Sequence, residues 1–232
     1  MPSRSFGRIS ITLPDLTGGY LSNTSTLESG RGIVQEFAYA DADLRDLDLA
    51  NTRLLTGRVT NLRASRVRMD EVRVDSVEFT DCDLGNLQWV DSRLSRVVFR
   101  NCKIMGGNYN GLTLDNVLFD HCKLNYSTFE KLRTTGPLAF TDCVLTESAF
   151  NGCDLTAAVF DGCSLRDTEF GRGTYRATDL RGNDLSMLRG IGNLTKVIID
   201  RPQQIELAQA LMAELEVTFG DDLDGPGSRR TP

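Results

Sequence analysis

Large apolar residues recur at every fifth position over most of this chain, and that period limits what the chain can fold into. The first run is Tyr39, Leu44, Leu49, Leu54, Val59, Phe79, Leu84, Trp89, Leu94, Phe99, Ile104, Tyr109, Leu114, Phe119, Leu124 and Phe129. After one slip of phase a second run follows, with Phe140, Leu145, Phe150, Leu155, Phe160, Leu165, Phe170, Tyr175, Leu180 and Leu185. A period of five fits neither an α-helix nor a plain β-strand. It suits a short extended side followed by a corner, repeated along the chain.

A longer period is visible in the small residues that lie two positions before these apolar centres. Their cysteines are separated by 20, 20, 21 and 20 residues, at Cys82, Cys102, Cys122, Cys143 and Cys163. The same spacing separates Phe79, Phe99, Phe119, Phe140 and Phe160. Four quintets per turn would therefore place each set in one column of a four-sided coil. The single longer step predicts a one-residue bulge within Glu130–Ala139, most naturally at Gly136 and Pro137.

Several quintets show a common residue pattern, among them ADLRD at 42–46, CDLTA at 153–157 and CSLRD at 163–167. They resemble the pentapeptide-repeat consensus of a small residue, Asp or Asn, Leu or Phe, a polar residue and a turn-compatible residue. The resemblance covers about residues 37–187. It implies an all-β fold, a right-handed quadrilateral β-helix of seven to eight coils, here followed by a C-terminal α-helix.

The two ends of the chain lie outside the repeat, so we expect four segments. Residues 1–31 predict a strand over Ile9–Leu13 that caps the first coil, then a loop, and residues 32–190 predict the solenoid. Residues 191–220 predict a last strand at 197–199 and a helix over Gln203–Glu216, with Asp200 as N-cap and Pro202 in the first turn. Residues 221–232 are expected to form a disordered tail.

The expected C-terminal helix carries an apolar face. Its members are Ile205, Ala208, Leu211, Met212 and Leu215. This face has two interpretations, a cap over the open end of the solenoid or the interface of a two-fold homodimer. The two are compatible, because different members of the face could contact the solenoid and a second copy.

A search for catalytic chemistry gives mostly negative results. The sequence has no Gly-rich phosphate loop and no HExxH, GxSxG or CxxC motif, so we expect no enzyme activity, no cofactor and no metal site. The only histidine, His121, falls at an outward corner and is expected to be an ordinary surface residue. The cysteine column could be a metal or redox site. The favoured interpretation is a column of small apolar fillers, with free and buried thiols, because parallel stacked strands hold the Cβ atoms farther apart than a disulfide prefers.

Charge is unevenly distributed along the chain, whose formal net charge is −6. That balance disfavours direct nucleic-acid binding and attachment to an anionic membrane. Without a long apolar run or the apolar core of a signal peptide, the protein is expected to be soluble and cytoplasmic. Residues 51–75 are nevertheless basic, with six arginines and three acids. Arg53, Arg73 and Arg93 should share an outward column. Asp75 can pair with Arg73 across the same side of the coil.

The C-terminal half is acidic, with fifteen acidic and seven basic residues over 139–224. Stacking the coils places Asp120, Asp142 and Asp161 on one side, and Glu147 and Asp167 on the next. Like charges in register on adjacent strands are unfavourable. This arrangement is either a solvated, solubilising surface or an acidic stripe that meets a basic partner surface.

The best-characterised pentapeptide-repeat proteins protect type II topoisomerases, chiefly DNA gyrase, from quinolones or toxins. They are similar to duplex DNA in size and anionic surface, and they dimerise through C-terminal helices. The resemblance therefore implies a non-enzymatic binding protein that partners a type II topoisomerase. The modest net charge and the basic N-terminal coils depart from that pattern. The alternatives are an interaction scaffold with no topoisomerase partner, or nucleic-acid binding by the arginine-rich coils.

Overall fold

A computed structural model of the chain describes residues 1–18, 20–28 and 32–223. The repeat region winds into a four-sided β-solenoid of about seven coils. Each strand pairs in parallel with the strand one coil further on, as in the register Arg73↔Arg93 and Phe79↔Phe99. The predicted fold class and the twenty-residue coil are therefore confirmed.

Apart from the first two, the strands lie along the sides of the coil, and the longer ones continue around a corner. Their bounds are Ser3–Phe6 (β1), Ile9–Thr12 (β2), Ser22–Asn23 (β3), Ile33–Ala40 (β4), Asp43–Asp48 (β5), Arg53–Thr60 (β6), Arg63–Asp70 (β7), Arg73–Thr80 (β8), Asp83–Leu84 (β9), Leu87–Val90 (β10), Arg93–Arg100 (β11), Asn108–Asn110 (β12), Thr113–Asp120 (β13), Thr128–Glu130 (β14), Arg133–Thr134 (β15), Leu138–Thr141 (β16), Ala149–Asn151 (β17), Cys153–Asp154 (β18), Val159–Asp161 (β19), Glu169–Phe170 (β20) and Gly173–Thr174 (β21). A 3-10 turn at Ile191–Asn193, helix α1 at Gln203–Glu214 and helix α2 at Gly220–Leu223 follow.

We number the four sides by their inward columns. Side 1 carries Phe79 and the phenylalanines stacked on it, and side 2 carries the column that contains Cys82. Side 3 carries the column of Trp89, and side 4 carries that of Leu94. One sheet of eleven strands covers sides 4 and 1, and one of eight strands covers sides 2 and 3.

The core of the solenoid is built from two aromatic ladders. In the ladder on side 1, neighbouring ring centroids are 4.9 Å apart and the rings are nearly parallel: Phe79, Phe99, Phe119, Phe140 and Phe160. The ladder on side 3 contains Trp89, Tyr109, Phe129, Phe150 and Phe170. The two ladders meet edge to face inside the coil, a favourable geometry for aromatic rings.

The corners are formed by residues in the left-handed backbone region. At Asn61, Asp81 and Asn101 φ is 51°, 56° and 54°. Asn and Asp tolerate this region better than most residues, which explains why they are frequent at the fifth position of a quintet. Thr56 adopts the same conformation, with φ 50°, although its side chain is β-branched.

The extra residue lies where the sequence predicted it. Leu114 pairs with Thr134 and Val117 pairs with Leu138, so three residues of the upper coil oppose two of the coil below. These three are Thr135, Gly136 and Pro137. The bulge leaves the phenylalanine ladder in register, because Phe119 still pairs with Phe140.

The N-terminal strand does not cap the first coil. Residues 3–12 form an antiparallel hairpin, β1 and β2, which lies against the outer face of side 1 in the middle of the rod. The reason is a column of apolar outward residues on that face, which the hairpin covers. The first coil is instead covered by part of the segment predicted as a loop, since β3 pairs with β4 and Leu27 is buried in the core.

The C-terminal helix covers the last coil, but its start differs from the prediction. Asp200 does not cap it, because Pro202 occupies the N-cap position and the Asp200 carboxylate accepts a bond from Gly182. The amide of Gln203 is buried and donates to the carbonyls of Leu180 and Asn183 at the open edge. The predicted last strand is reduced to a bridge at Ile198.

Two features complete the C-terminal end. The carboxylates of Glu206 and Glu214 accept bonds from the backbone nitrogens of Leu185 and Ile191, so the helix also satisfies open groups of the last coil. Part of the expected tail forms α2, and residues 224–232 lie outside the described residues. In the described ranges, no helix combines the length and apolarity needed to cross a lipid bilayer.

Candidate partner-binding surface

The predicted acidic stripe comprises Asp120, Asp142, Glu147, Asp161 and Asp167. Asp120 and Asp161 lie at the end of side 1, and Asp142 lies on the corner that follows. Asp120 pairs with Thr141, which pairs with Asp161, so a threonine separates the two carboxylates along the column. The expected repulsion between directly adjacent like charges is therefore avoided in this column.

Asp120 is not a free member of the stripe. Its side chain is only 6% exposed and its carboxylate lies 3.0 Å from Nη1 of Arg4 and 3.4 Å from Nε of Arg100. Burial raises the pKa of this carboxyl, but hydrogen bonds from Thr141 and His121 and the two arginines outweigh it, so the pKa lies below its ordinary value. Asp120 is therefore a structural anchor, and in this conformation its carboxylate is covered and not free to contact a partner.

The second group lies on the next corner, between sides 2 and 3. Glu147 and Asp167 both have left-handed backbone conformations, with φ 56° for each. Glu147 is exposed. The Asp167 carboxylate is paired with Arg189 at 3.0 Å and Arg166 at 3.5 Å. The accessible and uncompensated charge of the stripe is therefore concentrated on Asp142, Glu147 and Asp161.

His121 lies between two acids of the stripe. Its Nδ1 is 3.0 Å from the Asp120 carboxylate, and its Nε2 is 3.6 Å from that of Asp142. The imidazole is exposed, as the sequence predicted. One ligand atom from each of these three residues lies within a 4.8 Å group. Because Asp120 is already engaged by Arg4 and Arg100, this group is poorly suited to hold a cation.

All six cysteines are free and buried, and five of them form the predicted column, with Cys153 on side 4. Each Sγ in this column donates a weak hydrogen bond to a backbone carbonyl of the preceding coil, as Cys102 does to Phe79 at 3.5 Å. The bond with Cys102 and burial raise the pKa of Cys82, and burial raises that of Cys153 to about 11. Because all six thiols are buried, they pack like small apolar residues and are out of reach of solutes.

The arginine column on side 4 is present as predicted. Arg53, Arg73 and Arg93 are in register on consecutive coils and exposed. The suggested pairing of Arg73 with Asp75 is wrong, because Asp75 pairs with Arg96 of the next coil. Over the described residues, none of the three column arginines forms an ion pair. They lie diagonally across the rod from the corner that carries Asp142.

The predicted dimer residues of α1 lie away from the solenoid. Ile205 is 62% exposed, Leu215 is 65% exposed, and Ala208 and Leu211 are also exposed, while Met212 is half-buried. The face that contacts the last coil consists of Gln203, Leu207 and Ala210. Val217 and Phe219 extend the outward apolar surface. The capping function therefore uses residues other than the apolar face found in the sequence.

Sequence reasoning missed the contact between the hairpin and side 1. Its signal was present in the repeat, because four consecutive outward positions are apolar where the consensus places Asp or Asn: Val98, Leu118, Ala139 and Val159. Each is buried, although each points away from the coil interior. An outward column that stays apolar over consecutive coils predicts that another segment covers it.

Comparisons with known proteins agree with the repeat. The family model described as pentapeptide repeats (8 copies) matches residues 140–172. A trypsin-treated variant of QnrB1, a plasmid-mediated fluoroquinolone resistance protein, matches 77% of this chain and 99% of its own, with 14% identity and a TM-score of 0.43. A second such variant matches 87% and 99%, with 16% identity and a TM-score of 0.44.

A further solved structure is HetL, a pentapeptide repeat protein involved in heterocyst differentiation regulation from the cyanobacterium Nostoc sp. strain PCC 7120. The match covers 78% of this chain and 89% of HetL, with 15% identity and a TM-score of 0.22. A sequence comparison with curated proteins finds no match.

Proposed function

Because this chain is a pentapeptide-repeat protein, we propose that it acts by binding, with an anionic rod that engages the DNA-binding surface of a type II topoisomerase, DNA gyrase. In this proposal the protein has no catalytic activity of its own. By occupying the enzyme in place of duplex DNA, it protects the enzyme from quinolones or from a topoisomerase-targeting toxin. The accessible contacts are Asp142, Glu147 and Asp161, with Asp167 beside them.

The observation that carries the proposal is the segregation of charge on a rigid rod. The exposed acids of the stripe lie at the end of side 1 and on the two corners that follow, in the half of the rod that precedes α1. Corners fixed by hydrogen-bonded coils hold these carboxylates in place, so little order has to be gained on binding. With coils about 4.8 Å apart, seven coils give a rod about 34 Å long, similar to one turn of duplex DNA.

A homodimer belongs to the same proposal. The outward face of α1 carries Ile205, Ala208, Leu211 and Met212, with Leu215 at the C-cap, and a two-fold axis at this face would join the acidic halves of two rods. The continuous surface would then be twice as long. A large exposed apolar patch at one end of a rod is typical of an association surface.

The test is a DNA supercoiling assay with purified gyrase, with and without a quinolone. We expect the protein to inhibit supercoiling and to reduce quinolone-induced DNA cleavage at micromolar concentration. If neither effect is seen, the topoisomerase proposal fails.

That negative result would favour the second candidate, an interaction scaffold with another partner. The arginine column of side 4 is the feature that favours it, since a DNA mimic has no evident use for three uncompensated positive charges in register. A scaffold would bind its partner without changing supercoiling. Binding of labelled duplex DNA that weakens steeply with salt would instead favour direct nucleic-acid binding.

A further inference from the structure

The N-terminal hairpin occupies a surface that is built to receive it. Phe6 and Ile11 are 5% and 0% exposed, and they pack on the apolar outward column of side 1. The same column is charged in the earlier coils, at Arg58 and Glu78, where the hairpin does not lie. Apolar outward residues therefore occur where the hairpin covers the coil.

Polar contacts fix the orientation of the hairpin on this surface. Arg4 donates to Asp120 at 3.0 Å, and the backbone nitrogen of Thr12 donates to the Asn116 side chain at 2.7 Å. The Arg4 guanidinium also lies 4.8 Å from the centre of the Phe6 ring. One strand thus combines an apolar anchor with a cation aimed at a carboxylate of the rod.

The hairpin is a basic segment on an acidic side. Residues 1–13 contain Arg4 and Arg8 and no acidic residue. At the turn of the hairpin, Gly7 lines a small cavity together with Asp161 and Asp179. The hairpin therefore reaches two positions of the column that contains Asp120 and Asp161, the edge of the acidic stripe.

The hairpin can leave the rod without breaking a sheet. In the described part of the chain, β1 and β2 pair with each other and with no strand of the solenoid. The residues between Thr12 and β3 that the structure describes contain no helix or strand. Release would therefore break side-chain contacts and the hydrogen bond from Thr12, while every coil keeps its backbone hydrogen bonds to the neighbouring coils.

We propose that the N-terminal hairpin is an internal ligand of the acidic stripe, which the basic surface of the topoisomerase displaces on binding. This inference rests on the proposed function for the identity of the partner. A site that is open only for a fraction of the time shows an affinity reduced by that fraction. The hairpin would therefore set how tightly the rod holds its partner.

The experiment uses the full chain with one buried and one exposed substitution on the same strand. Ile11→Asp places a charge at a position with 0% exposure and should release the hairpin. Ser10→Asp adds the same charge at an exposed neighbour and should leave the hairpin in place. Limited trypsin digestion, read by mass spectrometry at Arg4 and Arg8, reports the release. We expect cleavage at least tenfold faster for Ile11→Asp than for wild type or Ser10→Asp.

Gyrase binding of the same three proteins then tests the internal ligand. We expect Ile11→Asp to bind at least tenfold tighter than wild type, and Ser10→Asp to match wild type. Unchanged affinity after release would overturn the proposal, and so would weaker binding, which would make the hairpin part of the docking surface. Arg4→Gln, which removes the ion pair with Asp120 and the contact with the Phe6 ring, should shift both readouts in the same direction, with cleavage read at Arg8. It guards against misfolding of Ile11→Asp.

A partner-independent measurement separates failure of this inference from failure of the proposed function. A synthetic peptide with the wild-type sequence of residues 1–13 should bind the Ile11→Asp protein, whose hairpin site is empty. It should bind wild type only weakly, because the wild-type hairpin already occupies that site. If no protein binds gyrase but the peptide binds in this way, the proposed function fails and the internal ligand stands. If the peptide does not bind the released protein, the internal ligand is overturned whatever gyrase does.

Discussion

The Nη1 atom of Arg4 lies 3.0 Å from Oδ2 of Asp120, and this ion pair joins the first strand of the chain to a coil 116 residues later. The carboxylate also accepts from Arg100, Thr141 and His121. A carboxylate with this many donors is expected to remain ionised in the folded state. It is the point at which the hairpin, the rod and the edge of the acidic stripe meet.

Acid should weaken the protein through Asp120. Its pKa in the folded state lies below the ordinary carboxyl value, so its contribution to stability is fully present above about pH 5 and is lost as the pH falls below about 4 towards that lowered pKa. We predict that Asp120→Asn lowers the free energy of unfolding by about 2 kcal/mol at pH 7. Urea denaturation from pH 7 to pH 3 should show this difference shrinking below pH 4.

The exposed Asp142 provides the control for that titration, since Asp142→Asn changes the same charge without breaking contacts to arginine. Its effect should stay within about 0.5 kcal/mol at every pH. A difference for Asp120→Asn that is constant from pH 7 to pH 3 would show that the ionised carboxylate is not the stabilising species.

A residue larger than glycine should not fit at position 57, because one aromatic ring occupies the space. A Cβ built on Gly57 would lie 2.3 Å from the ring of Phe37, which is buried directly below it in the first coil. We predict that Gly57→Ala destabilises the protein by about 1–3 kcal/mol through overpacking. Gly192→Ala, where a Cβ meets nothing within 4 Å, should change stability by less than about 0.5 kcal/mol.

A double substitution decides whether the ring is the cause. Phe37→Leu removes the atoms nearest to the added methyl group, so Gly57→Ala should cost less in that background than in wild type. Equal costs in both backgrounds would mean that the strain lies in the backbone and that the ring contact is incidental.

The thiols should be inert until the solenoid unfolds. All six cysteines are free and buried, and a thiol that solutes cannot reach does not react. We predict that a disulfide reagent such as Ellman's titrates less than one thiol per chain in the native protein and all six in denaturant. Rapid reaction of the native protein would show that the column opens locally.

The inward pattern of the coil was predictable because it depends on the repeat alone. A five-residue period with a twenty-residue superperiod determines which side chains point inward, so the Phe79 and Cys82 columns and the bulge at Gly136 followed directly. The outward surface depends on what covers it. The position of the hairpin and the burial of Asp120 required a contact between residues far apart in sequence, which no local pattern encodes.

The helix illustrates the same limit. Its apolar face was visible in the sequence, but the residues that cap the coil are polar or small, such as Gln203 and Ala210. Gln203 is buried because the last coil offers the open carbonyls of Leu180 and Asn183. A buried glutamine amide that pairs with an open sheet edge has no periodic signal.

Dimerisation should depend on the outward face of α1. Ile205 is 62% exposed, so Ile205→Asp cannot unfold the protomer by burying a charge, but it would place one in a two-fold interface. We predict that wild type sediments as a dimer and Ile205→Asp as a monomer, with Gln204→Asp, an exposed neighbour on the same helix, unchanged. A monomeric wild type at micromolar concentration would end the dimer proposal.

The most direct test of the proposed function compares two pairs of corner acids. Asp142→Asn with Glu147→Gln removes two charges from the stripe. Asp91→Asn with Glu71→Gln removes two from one corner, the one diagonally opposite Asp142. All four residues are exposed and have φ between 46° and 56°, so the two double variants match in chemistry and in backbone geometry.

The measurement is the affinity of each double variant for purified DNA gyrase at one ionic strength. We predict that the stripe variant binds at least tenfold more weakly than wild type, while the opposite-corner variant stays within about twofold of wild type. Equal losses for both variants, or no loss for the stripe variant, would contradict the claim that this acidic stripe is the surface the topoisomerase binds.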